Sequence, residues 1–154
     1  GMLSAVLGAD GWQGHNLTVP CCYISETDLE KRPNENKRVM WMDGSEVFKF
    51  AVRIMAEATL SVVHKAGLRL QDIKLIIPHQ ANIRIIEGAS KRLGFPMEKI
   101  VSNVETYGNT SSASIPIALS EKYVQQSLKK GDYVVFVDFG GGLAWAATLM
   151  KWSL

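Results

Sequence analysis

The sequence has few of the features that identify a function class directly. Its 154 residues include only two cysteines, Cys21 and Cys22. They are adjacent, so a bond between them would be strained and a secreted disulfide framework is excluded. No helix start follows the pair to activate a thiolate, which disfavours a catalytic role for either thiol. We therefore expect a reducing compartment and surface or packing cysteines.

Long apolar runs and a strong charge of one sign are also missing. The longest apolar stretches, such as residues 133–137, are far shorter than the ~20 residues of a membrane-spanning helix, and no basic-then-apolar leader opens the sequence. The formal net charge is only +2, without a run of Lys and Arg. We expect a cytoplasmic protein that binds neither membranes nor nucleic acid. Any anionic partner would be bound by a local group of basic side chains rather than by the overall charge.

Metal-ligand and nucleotide-binding patterns are absent as well. His15, His64 and His79 are scattered, and acidic residues do not occur in paired clusters. Neither a Walker pattern nor a Gly-x-Gly-x-x-Gly that opens a helix is present. No metal site is therefore predicted.

The residues that are present predict one α/β domain over residues 1–154. The content is 47% hydrophobic and 21% charged, which suits an ordinary globular core. Apolar spacing predicts helices at 44–65, about 82–93 and 110–128, and strands at 74–78, 100–104, 132–139 and 143–152. The first residues resemble the tail of a strand, and 21–43 a polar surface excursion. The last two strands predict an antiparallel pair, and hence a mixed sheet flanked by helices.

Three turns after predicted strands contain the candidate functional residues, because sites in open α/β sheets gather at such ends. His79 follows a buried strand, Asn109 follows Gly108 and precedes a row of hydroxyls, and glycines occupy 140–142. Each has a simpler structural explanation. His79 would cap a helix, Asn109 would be a turn residue, and the glycines would form a tight turn. The hydroxyls of Thr110, Ser111, Ser112 and Ser114 are interpreted as structural, since no adjacent base forms a nucleophile elbow.

Taken together, the motifs resemble those of the β-ketoacyl-acyl-carrier-protein synthase III family. They are Pro-His-Gln-Ala-Asn at 78–82, Gly-Asn-Thr-Ser-Ser-Ala-Ser-Ile-Pro at 108–116 and Gly-Gly-Gly at 140–142, in the family's order. A further match at 42–52, Met-Asp-Gly-Ser-Glu-Val-Phe-Lys-Phe-Ala-Val, extends the resemblance over nearly the whole sequence. The resemblance implies a thiolase-like fold, of which residues 1–154 are the C-terminal half. The N-terminal half, with a nucleophilic cysteine at a helix start, would lie outside this sequence.

The resemblance also implies an acyltransferase that initiates fatty acid biosynthesis. An acyl group would pass from coenzyme A to the cysteine, and malonyl-acyl carrier protein would lose carbon dioxide and attack it. Acyl-CoA and malonyl-acyl carrier protein are then the substrates, and no cofactor is expected. Neither Cys21 nor Cys22 matches the family's Ala-Cys-Ser type of nucleophile motif, so the chain alone is expected to be inactive.

Family roles transfer to matching positions in this sequence. His79 and Asn109 would donate hydrogen bonds to the malonyl thioester carbonyl and stabilise the enolate. His79 must then be neutral, and we expect a neighbouring backbone group to fix its tautomer. Gly141 would contribute its backbone N–H to the oxyanion hole for acyl transfer.

Other matches bear on binding. Phe48 would line the pantetheine tunnel, although its place in a helical apolar stripe also suits core packing. Asn82 would contact the pantetheine arm, and Arg84 would dock the acyl carrier protein, whereas Lys91 and Arg92 are interpreted as solvated surface charges. The N-terminal half would be a partner, and the apolar face it leaves predicts self-association into a homo-oligomer such as a dimer.

Two other functions are left open. The chain could be a noncatalytic module that binds acyl-CoA or acyl carrier protein. It could also belong to a related polyketide- or quinolone-type condensing enzyme that uses a different primer.

Overall fold

The computed structural model describes residues 1–19, 39–124 and 126–154. Cys21, Cys22 and most of the predicted polar excursion lie outside these ranges. The described strands are β1 (Met2–Ala9), β2 (Leu17–Thr18), β3 (Trp41–Met42), β4 (Ile73–Pro78), β5 (Tyr133–Gly140) and β6 (Ala144–Lys151). The described α-helices are α1 (Gly44–Lys65), α2 (Ile83–Leu93), α3 (Val104–Tyr107) and α4 (Ser114–Val124).

The main sheet is mixed, as the sequence predicts. Its strand order is β1-β6-β5-β4, with β4 and β5 parallel and the other two pairs antiparallel. Ile77 lies opposite Phe136, which lies opposite Thr148, so the register is continuous across three strands. β2 and β3 form a separate antiparallel pair. The parallel pair places the ends of β4 and β5 at the same edge of the sheet.

Helix α1 covers one face of this sheet and has the predicted bounds. Asp43 caps its start by accepting hydrogen bonds from the backbone N–H groups of Ser45 and Glu46, each at 3.1 Å. Its apolar stripe packs with α2 against β1, β5 and β6. The Ser4 hydroxyl donates to the Val62 carbonyl at 2.6 Å, which shows that Ser4 faces the helix. Gly67, with φ of +72°, follows the helix end.

Helix α4 lies on the opposite face. Its buried Ala118 joins a second apolar cluster with Leu75 and Ile77 of β4 and Val134 of β5. The sheet is therefore covered on one side by α1 and α2 and on the other, over β4 and β5, by α4. This confirms the α/β class.

Two predicted elements differ from the structure. Residues 100–104 form only an isolated bridge between Ile76 and Ile100, and α3 begins at Val104. Past this bridge, the N–H of Asn103 donates to a side-chain oxygen of Gln80 rather than to a strand. The predicted helix at 110–128 is also too long, because a 3₁₀ turn at Ser111–Ala113 precedes α4 and the helix ends at Val124. The first residues, which resemble the tail of a strand, form β1 over Met2–Ala9 at one edge of the described sheet.

Thr59 of α1 gives a stability prediction. It is fully buried, and its hydroxyl has no hydrogen-bond partner in the described structure, beside a small apolar cavity between α1, α2 and the sheet. Thr59→Val replaces that hydroxyl by a methyl group of similar size, which removes the cost of an unsatisfied buried donor. We expect the free energy of unfolding to rise by about 1 kcal/mol in urea denaturation. Thr59→Ser is the control, because it keeps the hydroxyl and loses a methyl group, and it should be destabilising. A Thr59→Val chain less stable than the parent would contradict this account.

Candidate active site

His79 lies directly after β4 and is held by the two parallel strands. Its backbone N–H donates to the Val137 carbonyl at 2.8 Å, which extends the pairing of β4 with β5. Its ring packs edge-on against Phe139 with 5.6 Å between ring centroids. The residue is only 8% exposed. His79 is therefore a fixed, nearly buried imidazole at the carboxyl ends of β4 and β5, where a catalytic site is expected.

One ring nitrogen of His79 is paired with a side chain that the sequence interpretation took as structural. Nδ1 lies 2.8 Å from Oγ of Ser114, the first residue of α4. The same oxygen accepts the backbone N–H of Gln80 at 3.2 Å. The predicted backbone partner of His79 was thus wrong, and the partner is a hydroxyl. Ser114 precedes the buried Ala118 by one helical turn and so shares its inward face, but the sequence alone does not show that this face is buried.

Gln80, which the sequence analysis missed, stabilises the turn after β4 through hydrogen bonds of its side chain. It is 1% exposed, and its Nε2 donates to the carbonyls of Pro78 at 2.8 Å and Val101 at 3.0 Å. Its Oε1 accepts the backbone N–H of Asn103 at 2.9 Å. One buried amide therefore joins the end of β4 to the segment that leads into α3.

The same network reaches α4 through Glu121. The Asn103 side chain donates to Glu121 Oε2 at 2.7 Å. A hydrogen bond to Glu121, together with its negative charge, raises the pKa of the Tyr107 hydroxyl above its ordinary value. Glu121 thus holds both ends of α3 against α4, and so supports the turn that follows α3.

Asn109 is exposed in that turn. Its side-chain oxygen accepts the Ser111 N–H at 2.9 Å, and Ser111 has a φ of +50°. The turn role predicted as the simpler explanation of Asn109 is confirmed. Because the oxygen is used in the turn, the amide group presents its two N–H donors, and these make no hydrogen bond to any residue in the described ranges. Asn109 is therefore both a turn residue and an available donor.

The glycine turn joins β5 to β6 at the same edge. Gly142 has a φ of +141°, and a Cβ there would lie 3.0 Å from the Ala144 nitrogen, so this position requires glycine. A Cβ on Gly14 would lie 2.9 Å from the Gly142 carbonyl oxygen, so the 3₁₀ turn at Gly11–Asn16 packs closely on this loop. Gly141 is exposed, and its N–H donates to no residue in the part of the chain that the structure describes. The tight strand-to-strand turn is confirmed, and it leaves one backbone donor available.

His79 contacts one residue of the second motif and one residue next to the third. The imidazole contacts Ser114 from the second motif and Phe139, which directly precedes the glycine motif. Among the described residues, no hydrogen bond joins His79 to Asn109 or to Gly141. The structure thus joins His79 to the start of α4 and to the end of β5, while the three candidate donors are held by separate elements.

Phe48, Asn82 and Arg84 form a second group, where α1 approaches the start of α2. The Arg84 guanidinium lies 5.8 Å from the centroid of the Phe48 ring. Asn82 is the N-cap of α2, and its side chain accepts the Arg84 backbone N–H at 2.9 Å. Phe48 is partly buried and packs against the main core, which confirms the packing explanation for this residue. The cap of α2 is Asn82, so the explanation of His79 as a helix cap was wrong.

Residues 1–19, 39–124 and 126–154 contain no group of three or more His, Cys, Asp or Glu side chains arranged to hold a metal ion. In the same ranges no helix combines the length and apolar character needed to cross a bilayer.

Comparison with known proteins gives consistent matches over this chain. The family model for the C-terminal part of 3-oxoacyl-[acyl-carrier-protein] synthase III matches residues 63–152. The β-ketoacyl-[acyl-carrier-protein] synthase III of Symbiobacterium thermophilum is 49% identical over 153 residues, which are 99% of this chain and 46% of the relative. The β-ketoacyl-[acyl-carrier-protein] synthase III of Roseiflexus castenholzii is 47% identical over 156 residues, which are 99% of this chain and 46% of the relative.

Solved structures agree with this result. A β-ketoacyl-[acyl-carrier-protein] synthase III from Thermus thermophilus has a TM-score of 0.89 at 48% identity, covering 99% of this chain and 46% of that one. The priming β-ketosynthase of the R1128 polyketide pathway has a TM-score of 0.82 at 32% identity, covering 99% and 45%. The chain thus spans about half the length of the relatives it matches. The predicted thiolase-like fold of synthase III is confirmed by these neighbours.

Proposed function

This chain belongs to the 3-oxoacyl-[acyl-carrier-protein] synthase III C-terminal family, and from that membership we propose that it forms the half of a condensing enzyme that stabilises the enolate. The enzyme would initiate fatty acid synthesis by condensing acyl-CoA with malonyl-acyl carrier protein. The observation that supports this most strongly is the imidazole of His79, nearly buried at the ends of two parallel strands with Nδ1 occupied by Ser114.

The proposed reaction needs two sets of donors and a nucleophile. When malonyl-acyl carrier protein loses carbon dioxide, the electrons of the broken bond enter the thioester as an enolate, and His79 and Asn109 donate to its oxygen. The enolate carbon then attacks the acyl thioester, and the cysteine leaves as thiolate. The Gly141 N–H donates to the oxyanion that forms on the acyl group. In this proposal the N-terminal half supplies the cysteine and the substrates supply all other groups, so the reaction as written uses no metal or cofactor.

The group at the start of α2 would bind the carrier. Arg84 is exposed and supplies a cation for the acidic surface of the acyl carrier protein. Phe48 supports its guanidinium from below, so an Arg-to-Lys change there would not be conservative. Asn82 holds the turn between Arg84 and His79, and its free amide group is available to the pantetheine arm.

The N-terminal half would cover the exposed outer part of the sheet. Leu7 of β1 is 82% exposed, and alternation along the strand places it opposite Ser4, on the face away from α1. Over β4 and β5 that face is covered by α4. We propose that a cysteine-bearing half of about equal length covers the remainder. The chain by itself would cover it with a second copy.

A substitution at Leu7 tests this surface. In sedimentation at rising concentration, the chain alone is expected to self-associate, and Leu7→Lys should weaken that association about tenfold or more, because burial of a leucine contributes about 1.5–3 kcal/mol. Leu154→Lys is the matched control, since Leu154 is 72% exposed at the chain's end and should have no effect. A parent chain that remains monomeric at high concentration would contradict the prediction.

The function is tested by complementation. Condensation of acetyl-CoA with malonyl-acyl carrier protein is measured with this chain alone, with a separately expressed cysteine-bearing half, and with both. We expect activity only in the mixture. The same mixture carrying Ser112→Ala, an exposed hydroxyl outside the proposed site, serves as the folded control and should remain active.

The outcomes separate the candidate functions. Activity of this chain alone would contradict the proposal. A half that demonstrably binds without producing condensation would favour a noncatalytic module for acyl-CoA or acyl carrier protein. Similarity to the polyketide priming β-ketosynthase supports a second candidate with the same chemistry and another primer. The result that would favour this candidate is condensation with an acyl-CoA primer other than acetyl-CoA, in preference to acetyl-CoA.

A further inference from the structure

The oxygen of Ser114 has a definite hydrogen-bonding pattern. Ser114 is 2% exposed, so bulk water is not an alternative partner for its hydroxyl. Its Oγ accepts the Gln80 backbone N–H at 3.2 Å and lies 2.8 Å from His79 Nδ1. It makes no hydrogen bond to any other residue in the described ranges. The roles of these two contacts follow from counting hydrogens.

A serine hydroxyl has one hydrogen to donate and two lone pairs to accept with. The Gln80 N–H occupies one lone pair, since a backbone amide only donates through nitrogen. If His79 Nδ1 also carried a hydrogen, both the Gln80 N–H and the Nδ1–H would donate to Oγ. The hydrogen of the buried hydroxyl would then have no acceptor. An unsatisfied buried donor costs about 1–3 kcal/mol. The hydroxyl therefore donates to Nδ1, which must be unprotonated.

Asp138 is the competing group around this nitrogen. Its Oδ1 lies 3.7 Å from His79 Nδ1, beyond hydrogen-bond distance, and already accepts the Phe139 N–H at 2.7 Å. The Asp138 side chain is also 41% exposed, so solvent screens its charge. The Asp138 carboxylate favours a hydrogen on Nδ1, whereas the Ser114 hydroxyl favours an unprotonated Nδ1. Ser114 Oγ is within hydrogen-bond distance of Nδ1 and Asp138 is not, so the distances favour the unprotonated form.

We propose that the Ser114 hydroxyl fixes His79 as the neutral tautomer with its hydrogen on Nε2. In the described part of the chain Nε2 makes no hydrogen bond, so its N–H is available to a ligand. Ser114 is thus a positioning residue that acts through His79. The tautomer assignment depends only on the contacts above, whereas its catalytic consequence rests on the proposed function, which needs His79 as a neutral donor.

The tautomer is measured directly by long-range ¹H–¹⁵N NMR of the ¹⁵N-labelled chain at neutral pH. The His79 signals are identified by their loss in His79→Ala, which distinguishes them from those of His15 and His64. We expect Nε2 to show the shift of a protonated ring nitrogen and Nδ1 that of an unprotonated one. A parent chain with its hydrogen on Nδ1 would overturn the proposal.

Variants then identify the group responsible. Ser114→Ala should move both nitrogen shifts towards intermediate values, as tautomers or the protonated ring become populated. Ser114→Thr keeps a hydroxyl and should retain the parent pattern. Ser112→Ala is the matched control, because its hydroxyl is exposed two residues away, and Asp138→Asn removes the competing carboxylate; neither should change the assignment. If Ser114→Ala folds with unchanged shifts, or if Asp138→Asn alone reverses the tautomer, the assignment to Ser114 is wrong.

The catalytic consequence is measured in the active complex with the cysteine-bearing half. Ser114→Ala is expected to slow malonyl decarboxylation about tenfold or more, since a wrong tautomer removes the donor, while acyl transfer from coenzyme A to the cysteine continues at the parent rate. Equal loss of both steps would indicate a merely structural role and overturn the catalytic part. A parent complex without any activity would instead count against the proposed function, while the NMR result still decides the tautomer.

Discussion

In the complete enzyme, His79→Ala and Asn109→Ala should each reduce the rate of condensation by about 10²–10³-fold. In the proposed reaction, each change removes one hydrogen-bond donor to the developing enolate, and loss of one such donor costs about 2.7–4 kcal/mol of transition-state stabilisation. The effect should appear in kcat with malonyl-acyl carrier protein, because the donors act most strongly once charge has developed. Steady-state condensation, with malonyl decarboxylation followed separately, measures it.

The first half-reaction provides the control for these variants. In the proposed reaction, acyl transfer to the cysteine of the N-terminal half depends on an oxyanion hole that includes the Gly141 N–H rather than on the enolate donors, so complexes carrying His79→Ala or Asn109→Ala should still become acylated. Asn109→Ala also loses the turn bond to Ser111 at 2.9 Å, and Asn109→Asp keeps that acceptor while removing the N–H donors. Asn109→Asp should therefore fold normally and remain slow. If both alanine variants condensed at the parent rate, His79 and Asn109 would not be the enolate donors.

The fold was largely predictable because hydrophobic spacing is strong where an element packs on one face. Helix α1 has its predicted bounds, since Asp43 caps it and Gly67 follows it. The antiparallel pair of β5 and β6 follows from two apolar runs joined by glycines. The strand predicted at residues 100–104 was wrong because an apolar stretch indicates burial but not which group its backbone will bond. Here the N–H of Asn103 donates to the side chain of Gln80 instead of to a neighbouring strand.

The candidate site was predictable in its motifs but not in its contacts. His79, Asn109 and Gly141 were proposed as candidates because three unusual turns follow predicted strands and match a family in order. Ser114 was interpreted as structural and Gln80 was missed, because their hydrogen bonds join segments that are 21 to 35 residues apart in sequence. A serine or glutamine in a sequence does not show whether it is buried, and burial is what gives these two their effect.

Gln80 is expected to be the largest single contributor to stability among the polar residues of the site. Gln80→Leu keeps the approximate size of the side chain but leaves the carbonyls of Pro78 and Val101 and the N–H of Asn103 without their partner. Each unsatisfied buried group costs about 1–3 kcal/mol, so the three together should lower the free energy of unfolding by at least about 3 kcal/mol, a large part of the total for a domain of this size. Urea denaturation followed by circular dichroism measures the change.

Two further variants show whether hydrogen bonds cause this loss. Gln71→Leu makes the same change at an exposed position and should alter stability by less than about 0.5 kcal/mol. Gln80→Glu retains an acceptor for Asn103, but its ionised form has no donor for the two carbonyls. Burial raises the pKa of such a carboxyl above its unfolded value, so the loss of stability relative to the parent should be smallest below about pH 4, where the protonated acid restores one donor, and should grow as pH rises. If Gln80→Glu lost stability by the same amount at every pH, or if Gln71→Leu lost as much stability as Gln80→Leu, the three hydrogen bonds of Gln80 would not be the cause of the loss.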